Sequence, residues 1–387
     1  MLTALNEMIN NAISTAAIQA IGTAVPPNKI SQDAHYNILE MANGLSREEK
    51  LKLRKIYSGS GILTRHSVLA EFGQPDQPEN ILFHPANHHP QVAVSERMKL
   101  FEHYALNLCI TAVEDCISKL PSLLVTSVTH LITFSCTGMY APGLDIQLVE
   151  KLGLNKNVER TCVNFMGCYA AINALKVADY ISRAQPDAIV LLVGVELCTL
   201  HYQKNDKQDQ VIANAIFADG AAAAVVSRQN LIADNHHTSL ILNSFYSEFE
   251  SAGKDEMVWR IGDFGFDLRL SAYVPALIAE SIFSLTQKLF DRAKIKQENI
   301  SYYALHPGGA KILEACEAAL HLTKEQNQFS YNILRDYGNM SSVTILFVLN
   351  AYMKTVTSAD IGKKMLGCAF GPGLTMEAMI LEIGKTN

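Results

Sequence analysis

The stretch NFMGCYAAI, residues 164–172, places a cysteine where an apolar run gives way to a pattern typical of a helix. Cys168 follows Gly167 and precedes small residues, and the helical pattern continues to residue 184. Two interpretations are open at this point. Cys168 is a small buried hydrophobe, or the positive end of the helix dipole lowers the pKa of its thiol and makes it a nucleophile.

Short apolar runs rich in Val, Ile and Leu recur along the chain, and such runs are typical of strands buried on both faces. They occupy residues 129–135, 187–196, 221–227 and 238–245. Longer amphipathic segments alternate with them, at residues 144–154, 168–184, 274–295 and 341–356. This alternation predicts an α/β protein with a mixed or parallel sheet between helical layers.

The composition of the 387 residues, 49% apolar and 18% charged, is typical of a large compact core. A formal net charge of −6 argues against a nucleic-acid backbone as the main partner. The eight cysteines are scattered, which argues against a structural zinc site or a secreted disulfide framework and favours the cytoplasm. The N-terminal segment is a poor signal peptide, and no run reaches the ~18 apolar residues of a membrane span.

Two polar stretches, residues 203–210 and 228–237, are typical of surface loops. We place the boundary between two halves in the second of them, which divides the chain into residues 1–235 and 236–387. The histidine pairs 88–89 and 236–237 lie in loop-like sequence without further ligand residues. We interpret them as solvated histidines and expect no metal site.

Two polar residues in the second half are candidate partners of a nucleophilic Cys168. His306 ends an apolar run in YYALHPGG, and a histidine held beside a tight turn can reach a cleft. Asn339 precedes a strongly apolar segment in YGNMSSVTILFVL, where helix capping alone would explain it. Composition and spacing do not show that these residues meet Cys168.

Six ordered motifs give the chain a resemblance to the type III polyketide synthases, the chalcone-synthase-like branch of the thiolase-fold condensing enzymes. NFMGCYAAI resembles the nucleophile segment of that family, LHPGG (305–309) its histidine turn and YGNMSS (337–342) its asparagine segment. The other matching segments are SCTGMYAPGLDIQLVEKLGL (135–154), AIFADGAAAAVV (215–226) and AFGPGLTMEAMIL (369–381). The resemblance covers nearly the whole chain and favours the interpretation of Cys168 as a nucleophile.

The resemblance implies a thiolase-like five-layer αβαβα fold of two similar halves and a homodimer. It implies that Cys168 accepts an acyl group from a starter CoA thioester, with the Cys168 thiolate paired to His306. His306 and Asn339 would then stabilise the enolate of decarboxylating malonyl-CoA. Acyl-CoA and malonyl-CoA are substrates, and no metal or redox cofactor is expected.

The resemblance also implies binding residues around this centre. Phe217 occupies the position of the family's gatekeeper between the CoA tunnel and the cavity. Lys52, Lys55 and Lys311 match basic CoA contacts. A further basic position of the family falls on Gly59. The further substrate-binding positions are Cys136, Thr137, Ala141, Cys198, His201, Trp259, Leu268, Ser341 and Pro372.

Several of these positions depart from the plant chalcone pattern and suggest a product. Ala141 replaces a methionine and could open a tunnel for a long acyl chain. Cys136 replaces a hydroxyl residue of the stilbene-type cyclisation, although Thr137 could substitute for it. His201 and Trp259 replace smaller residues and would narrow the cavity. We therefore expect a medium- or long-chain fatty acyl starter, few extensions and an alkyl-α-pyrone or alkylresorcinol.

Three alternatives stay open on the sequence. A β-ketoacyl-ACP synthase III has the same three residues but performs one condensation with a carrier protein. A hydroxymethylglutaryl-CoA-synthase-like enzyme would need an acidic base, for which Glu196 is available, although Glu196 could equally hold a structural hydrogen bond. A non-catalytic dimer that binds acyl-CoA would need none of the three residues.

Overall fold

The computed structural model describes residues 15–43, 45–74, 80–82, 92–203, 208–229, 231–232 and 238–385. Its helices are α1 (Gln32–Asn43), α2 (Arg47–Ser58), α3 (Val94–Ile117), α4 (Leu144–Leu152), α5 (Ala170–Ala184), α6 (Gln208–Ile216), α7 (Val274–Ala293), α8 (Ala310–Leu320), α9 (Gln328–Tyr337) and α10 (Thr344–Met353). Its strands are β1 (Ala16–Ala24), β2 (Asn28–Ser31), β3 (Thr64–Ser67), β4 (His130–Ser135), β5 (Glu159–Asn164), β6 (Ile189–Leu197), β7 (Asp219–Arg228), β8 (Thr238–Phe249), β9 (Met257–Gly262), β10 (Gly265–Leu270), β11 (Ile300–Leu305), β12 (Lys364–Gly371) and β13 (Thr375–Lys385).

The four predicted strands are confirmed as β4, β6, β7 and β8, and the four predicted helices as α4, α5, α7 and α10. Strand β7 illustrates why its sequence is apolar without alternation. Ala221, Ala223 and Val225 point into one hydrophobic core, while Ala222 and Ala224 point into another. Because both faces of the strand are buried, each position from Ala221 to Val226 carries a small or branched apolar side chain.

A repeated four-strand unit accounts for the two similar halves. In the first half, β4 is parallel to β6, β6 is antiparallel to β7, and β7 is antiparallel to β1. In the second half, β11, β12, β13 and β8 follow the same order and the same directions. A short antiparallel contact between β1 and β8 joins the units into a nine-stranded sheet, with β5 added at one edge.

Helices cover both units and fill the space between them. Helix α3 packs on the outer face of the first unit, and α7 and α8 pack on the outer face of the second. Helices α5 and α10 share one buried core with strands of both units. The predicted five-layer αβαβα arrangement is confirmed, and its central layer consists of the two helices that begin near Cys168 and Asn339.

Some predicted features lie outside the described residues. These include the histidine pairs 88–89 and 236–237, and the boundary between residues 235 and 236, which stays a prediction. The polar stretch 203–210 is described only in part, and its last residues belong to α6. Within the described ranges, no helix is both long and apolar enough to cross a membrane.

The β9–β10 hairpin is attached to the first half by a buried histidine. His201 ends a short 3₁₀ helix after β6, and its Nδ1 accepts a hydrogen bond from the Phe266 backbone N–H at 3.1 Å. The neutral ring therefore carries its proton on Nε2, which donates to the Thr137 carbonyl at 2.7 Å. The imidazole also stacks on the Phe266 ring at a centroid distance of 4.0 Å. Since burial disfavours the charged ring, the pKa of His201 is lowered to about 3.

This histidine predicts a specific loss of stability in acid. The pKa of His201 in the folded protein is about 3, below the 6.5 of a free histidine. As the pH falls below 6.5 the unfolded chain therefore binds a proton that the folded chain refuses. At about pH 5 this difference costs about 2 kcal/mol of folding free energy. Substitution of His201 by Phe should shrink, by about that amount, the fall in unfolding free energy between about pH 7.5 and pH 5 in urea titrations.

A control and a contradicting outcome are available for this experiment. The side chain of His103 on α3 is exposed, so substitution of His103 by Gln serves as a surface control that leaves His201 and its partners in place. Other buried histidines, among them His35, also have a lowered pKa, so the acid sensitivity should shrink and not disappear. An unchanged pH dependence in the His201 variant would contradict a neutral buried imidazole at this position.

Candidate active site

The cysteine turn 165–168 has a strained backbone between β5 and α5. Phe165 has a φ of 62° and Gly167 a φ of 87°, both in the left-handed region. The Gly167 N–H donates to the Cys136 sulfur at 2.9 Å, which ties the turn to the loop after β4. Cys168 stands directly before the first turn of α5, as the sequence predicts.

The glycine-rich loop 371–373 explains two glycines of the motifs. A Cβ on Gly167 would lie 2.2 Å from the Pro372 Cδ, and a Cβ on Gly371 would lie 2.5 Å from the Tyr169 ring. Side chains at either position would push the loop away from the cysteine turn. The close approach of two backbones therefore places Pro372 against the site.

His306 follows the last residue of β11 and is almost completely buried, with 1% of its surface exposed. Its backbone N–H donates to the Cys368 carbonyl at 2.8 Å, and its carbonyl accepts from the Gly308 N–H at 2.9 Å. These bonds hold the residue at a tight turn, as predicted. Neither ring nitrogen has a hydrogen-bond partner among the described residues.

Asn339 is oriented by hydrogen bonds on its backbone and on its side chain. Its N–H donates to the Ile216 carbonyl, and its carbonyl accepts from the Ala218 N–H, both at 2.9 Å. Its Oδ1 accepts from the Ser341 N–H at 2.8 Å, although the N-cap of the following 3₁₀ turn is Met340 and not Asn339. Because Oδ1 is engaged, Nδ2 is the group left to donate, and it lies 3.3 Å from the Gly308 carbonyl.

Cys168, His306 and Asn339 meet on one cavity of about 50 Å³, which we call the inner cavity. Most of the predicted substrate-binding residues line it as well: Cys136, Thr137, Cys198, Phe217, Trp259, Leu268, Ser341 and Pro372. The Trp259 Nε1 donates to the Cys136 carbonyl at 2.8 Å, which fixes the indole as one wall. The three candidate catalytic groups, which the sequence alone does not bring together, therefore share one buried space.

Burial controls the ionisation of this centre. It raises the pKa of the Cys168 thiol to about 12, although the Ser341 hydroxyl at 3.7 Å acts in the opposite direction. This is opposite to the shift predicted from the helix N-terminus, and its largest cause is the loss of hydration of the thiolate on burial. Burial also lowers the pKa of His306 to about 3. Burial therefore favours the neutral form of both the thiol and the imidazole.

A second, larger depression of about 1430 Å³, which we call the outer groove, adjoins the inner cavity. Leu270, Gly308 and Ile312 line both spaces. The predicted CoA contacts Lys52, Lys55 and Lys311 line the groove, and so does Gly59. The ammonium groups of Lys52 and Lys311 are largely exposed, each 2.7 Å from a carboxylate oxygen on its own helix, Glu48 and Glu314 respectively.

Two predicted pocket residues do not line the inner cavity. Ala141 is exposed, in the loop after β4, and does not line the inner cavity, so the tunnel past it stays a prediction. His201 lies behind the wall, in a rear pocket of about 30 Å³ that Cys198, Phe217, Trp259 and Leu268 separate from the inner cavity. It therefore narrows the site by supporting Phe266 and Thr137, and not by direct contact.

The buried Glu196 has the structural role that the sequence left open. Its carboxylate accepts hydrogen bonds from the Cys136 N–H at 3.0 Å, from the Thr137 hydroxyl at 2.8 Å and from the Ser342 hydroxyl. It does not line the inner cavity. Glu196 therefore joins the loop after β4 to the start of α10, which gives the hydroxymethylglutaryl-CoA-synthase-like alternative no support.

Sequence reasoning missed part of the cavity wall. Met257 and Leu270 line the inner cavity on the hairpin strands that carry Trp259 and Leu268. The signal was available, because side chains two residues apart on a strand share a face. Ile312 and Phe370 also line the cavity and carry no comparable signal.

Comparisons with known proteins identify the family of the chain. A model of the N-terminal domain of chalcone and stilbene synthases matches residues 5–230, and a model of their C-terminal domain matches residues 242–383. The α-pyrone synthesis polyketide synthase-like Pks18 of Mycobacterium tuberculosis is 29% identical, over 96% of this chain and 92% of that protein. Probable polyketide synthase 1 of Dictyostelium discoideum is 29% identical over 98% of this chain, which spans 12% of that relative.

Solved structures agree with the sequence comparisons. The crystal structure of the C-terminal type III polyketide synthase domain of Steely1 from Dictyostelium has a TM-score of 0.87 and 27% identity, covering 96% of this chain and 99% of that one. The two domain models together span the described halves of the fold. The chain therefore belongs to the chalcone and stilbene synthase family of type III polyketide synthases, which are acyl-transferring condensing enzymes.

Proposed function

We propose that this chain joins a medium- or long-chain fatty acyl starter to malonyl-CoA units through an acyl-Cys168 intermediate and releases an alkyl-α-pyrone or alkylresorcinol. The meeting of the Cys168 thiol, the His306 imidazole and the Asn339 amide on the inner cavity carries the proposal. The lysines of the outer groove support CoA thioesters as substrates, since ammonium groups attract phosphates. The mycobacterial relative Pks18 is named for α-pyrone synthesis, which supports a pyrone as the product.

Acyl transfer begins at Cys168, whose sulfur attacks the thioester carbonyl of the starter. The thiol proton passes to a ring nitrogen of His306, and the departing CoA thiolate takes that proton up. An S–acyl bond thus replaces the S–H bond, and CoA leaves as a neutral thiol. The lowered pKa keeps His306 in the neutral form that can accept a proton.

Malonyl-CoA then loses CO₂, and the electron pair of the broken C–C bond forms an enolate. The enolate oxygen needs hydrogen-bond donors, for which an N–H of His306 and the Nδ2 of Asn339 are suited. The enolate carbon attacks the carbonyl of acyl-Cys168 and expels the thiolate, which recovers a proton. The chain, now on CoA, is longer by two carbons.

The outer groove suits the tail of a long starter better than a passage beside Ala141. Apolar side chains from α1, α2 and α6 line one side of the groove: Leu39, Leu53, Ile56, Val211 and Ile212. Its volume exceeds the ~300–1,000 Å³ of ordinary ligand sites, which leaves room beside the arm of CoA. We therefore propose that the acyl tail lies along these side chains while its carboxyl carbon is bound to Cys168.

The small inner cavity suits few extensions. Its volume is about 50 Å³, and the indole of Trp259 separates it from the rear pocket. A growing polyketide beyond the first condensations would collide with this wall. We propose that the wall favours early release by lactonisation or ring closure.

A homodimer, which the family resemblance implies, finds support at one sheet edge. Strand β5 is an edge strand whose side chains are exposed on both faces, apart from the half-buried Val163. Unpaired edge strands readily pair with another chain. We propose that a second copy covers β5 and the neighbouring loop with Met139 and Ala141, which are also exposed.

The proposed activity predicts products from malonyl-CoA without a carrier protein. Purified protein incubated with malonyl-CoA and acyl-CoAs from acetyl to long-chain fatty should yield pyrones or resorcinols, best from the fatty starters. Mass spectrometry would identify the products, and substitution of Cys168 by Ala should remove them. Products that require an acyl carrier protein would favour the β-ketoacyl synthase alternative, and preference for short or aromatic starters would overturn the proposed tail site.

A substitution at Asn339 should distinguish acyl loading from malonyl-CoA decarboxylation. Substitution of Asn339 by Ala removes an enolate donor and should slow malonyl-CoA decarboxylation by about 10²–10³-fold. Loading of the starter on Cys168, read from the intact protein mass, should persist. Loading in the wild type with no decarboxylation would instead support a non-catalytic acyl-binding protein.

A smaller side chain at position 259 should lengthen the product. Substitution of Trp259 by Gly joins the inner cavity to the rear pocket and should add at least about one malonyl unit to the main product. Substitution by Phe keeps most of the bulk while losing the bond to the Cys136 carbonyl, and should leave product length unchanged. Equal product lengths in the Gly variant and the wild type would show that this wall does not limit extension.

The proposed dimer predicts a sedimentation mass of about twice the 42.6 kDa chain. Substitution of Cys162 by Arg places a charge in the middle of β5, where Cys162 is exposed, and should shift the protein toward the monomer. Arg at the exposed Tyr180 on α5 serves as a surface control. A monomeric wild type would exclude this assembly.

A further inference from the structure

Arg65 is a buried cation that the chemistry above does not use. It lies on β3, 4% of its surface is exposed, and it follows the basic stretch 50–55, where a solvated cation would be the ordinary interpretation. Burying a guanidinium costs free energy unless its N–H groups are paired. Its partners therefore indicate what the residue is for.

The guanidinium binds the end of α6. The Arg65 Nη1 donates to the Asn214 carbonyl at 2.7 Å and to the Phe217 carbonyl at 2.8 Å. The last carbonyls of a helix lack partners within the helix and carry partial negative charge, so a cation stabilises them. Phe217 lines the inner cavity, so its backbone is held from behind by Arg65.

The same segment pairs with the backbone of Asn339. The Asn339 N–H donates to the Ile216 carbonyl, and the Ala218 N–H donates to the Asn339 carbonyl, both at 2.9 Å. Phe217 and Asn339 thus form an isolated parallel bridge outside the main sheet. A shift of the segment 216–218 would move the aromatic wall and the enolate donor together.

Arg65 also contacts the other side of this bridge. A Cβ on Gly338 would lie 2.9 Å from the Arg65 Cγ, so the aliphatic stem packs directly on the residue before Asn339. Gly338 has a φ of 72°, which other residues rarely adopt. The neighbouring Thr64 hydroxyl donates to the Asp336 carbonyl at 2.7 Å. Strand β3 is therefore wedged between the Phe217 segment and the Asn339 segment.

The planar fork of the guanidinium suits this place better than an ammonium. While Nη1 binds the two carbonyls, Nη2 donates to the His35 Nδ1 at 2.6 Å. The Tyr57 hydroxyl also lies 2.9 Å from the His35 Nδ1. A lysine carries one nitrogen on a flexible stem, so it would not reach all three acceptors in a fixed geometry.

We propose that Arg65 is a positioning residue for the decarboxylation step. It fixes Phe217 and Asn339 in register by holding the segment 216–218, which pairs with the backbone of Asn339. The proposal rests on the proposed function, because the step that it serves is the decarboxylation of malonyl-CoA. Cys168 lies on a different turn, whose Gly167 N–H donates to the Cys136 sulfur, and it makes no contact with Arg65. Arg65 should therefore matter for the Asn339 chemistry and not for the loading of Cys168.

The test compares two half-reactions in an Arg65→Lys variant. Acyl loading on Cys168, read from intact protein mass, should stay within about two-fold of the wild type. The kcat of malonyl-CoA decarboxylation should fall by about 10–100-fold, because a displacement of about 1 Å at a reacting group can cost 10²-fold in rate. The KM for malonyl-CoA should change little, since the lysines of the outer groove are untouched.

Two further variants separate positioning from folding. Arg97→Lys alters another buried arginine, which donates to the Tyr202 carbonyl at 2.9 Å from α3 and does not contact the Asn339 segment. It should lower the thermal midpoint without a selective loss of decarboxylation. His35→Phe removes the acceptor of Nη2, keeps a ring stacked with Tyr57 and Phe72, and leaves Arg65 in place. It should give the same selective loss in a weaker form, and it tests the proposal even if Arg65→Lys does not fold.

Three outcomes would overturn the proposal. They are unchanged decarboxylation in a folded Arg65→Lys variant, an equal fall in loading and decarboxylation, and the same selective loss in Arg97→Lys. Absence of decarboxylation in the wild type would overturn the proposed function, and this proposal with it. Normal wild-type turnover with unaffected Arg65 and His35 variants would overturn the positioning role alone.

Discussion

The constraint on which this structure depends is that two helices from different halves begin at one buried point. Helix α5 starts two residues after Cys168, a 3₁₀ turn at Ser341–Val343 leads from Asn339 into α10, and both helices lie in the central layer. The repeated strand unit brings the ends of β4 and β11 to the same place, with Cys136 and His306 following them. Each half thus supplies one residue after a strand and one residue before a helix.

Meeting at one point requires backbones to come closer than side chains would allow. Gly167 faces Pro372, Gly371 faces Tyr169, and Gly338 faces the stem of Arg65. Each pair joins parts of the chain that are far apart in sequence. The motifs that bear the chemistry are therefore rich in glycine because the site is a crossing of backbones, and not because the loops are mobile.

The sequence predicts the parts of the fold that depend on local pattern. The central parts of strands β6 and β7 are continuously apolar because both faces are buried, and the motifs around Cys168, His306 and Asn339 carry the turns that these residues need. The surroundings of those residues were harder to predict. Burial reverses the shift predicted for the Cys168 pKa, and Ala141 lies away from the inner cavity because its loop points outward at the sheet edge.

Long-range contacts explain the remaining failures. His201 acts through Thr137 and Phe266, and Arg65 acts through Asn214 and Phe217, which lie about 150 residues further along the chain. No periodicity or local motif reports such a contact. A histidine or arginine in polar sequence is ordinarily a solvated residue, and only the packing of distant segments gives these two their roles.

Hydrogen bonds around the inner cavity are distributed unevenly among its polar groups. Glu196 accepts several hydrogen bonds, and both nitrogens of His201 are engaged, so these groups are held and chemically quiet. Among the described polar side chains that line the inner cavity, His306 is the one whose buried nitrogens lack a partner. An unpaired buried nitrogen costs free energy, and a hydrogen bond from its N–H to an enolate oxygen would relieve that cost. The site therefore keeps unpaired the group that the reaction needs, while neighbouring polar groups are satisfied by the fold.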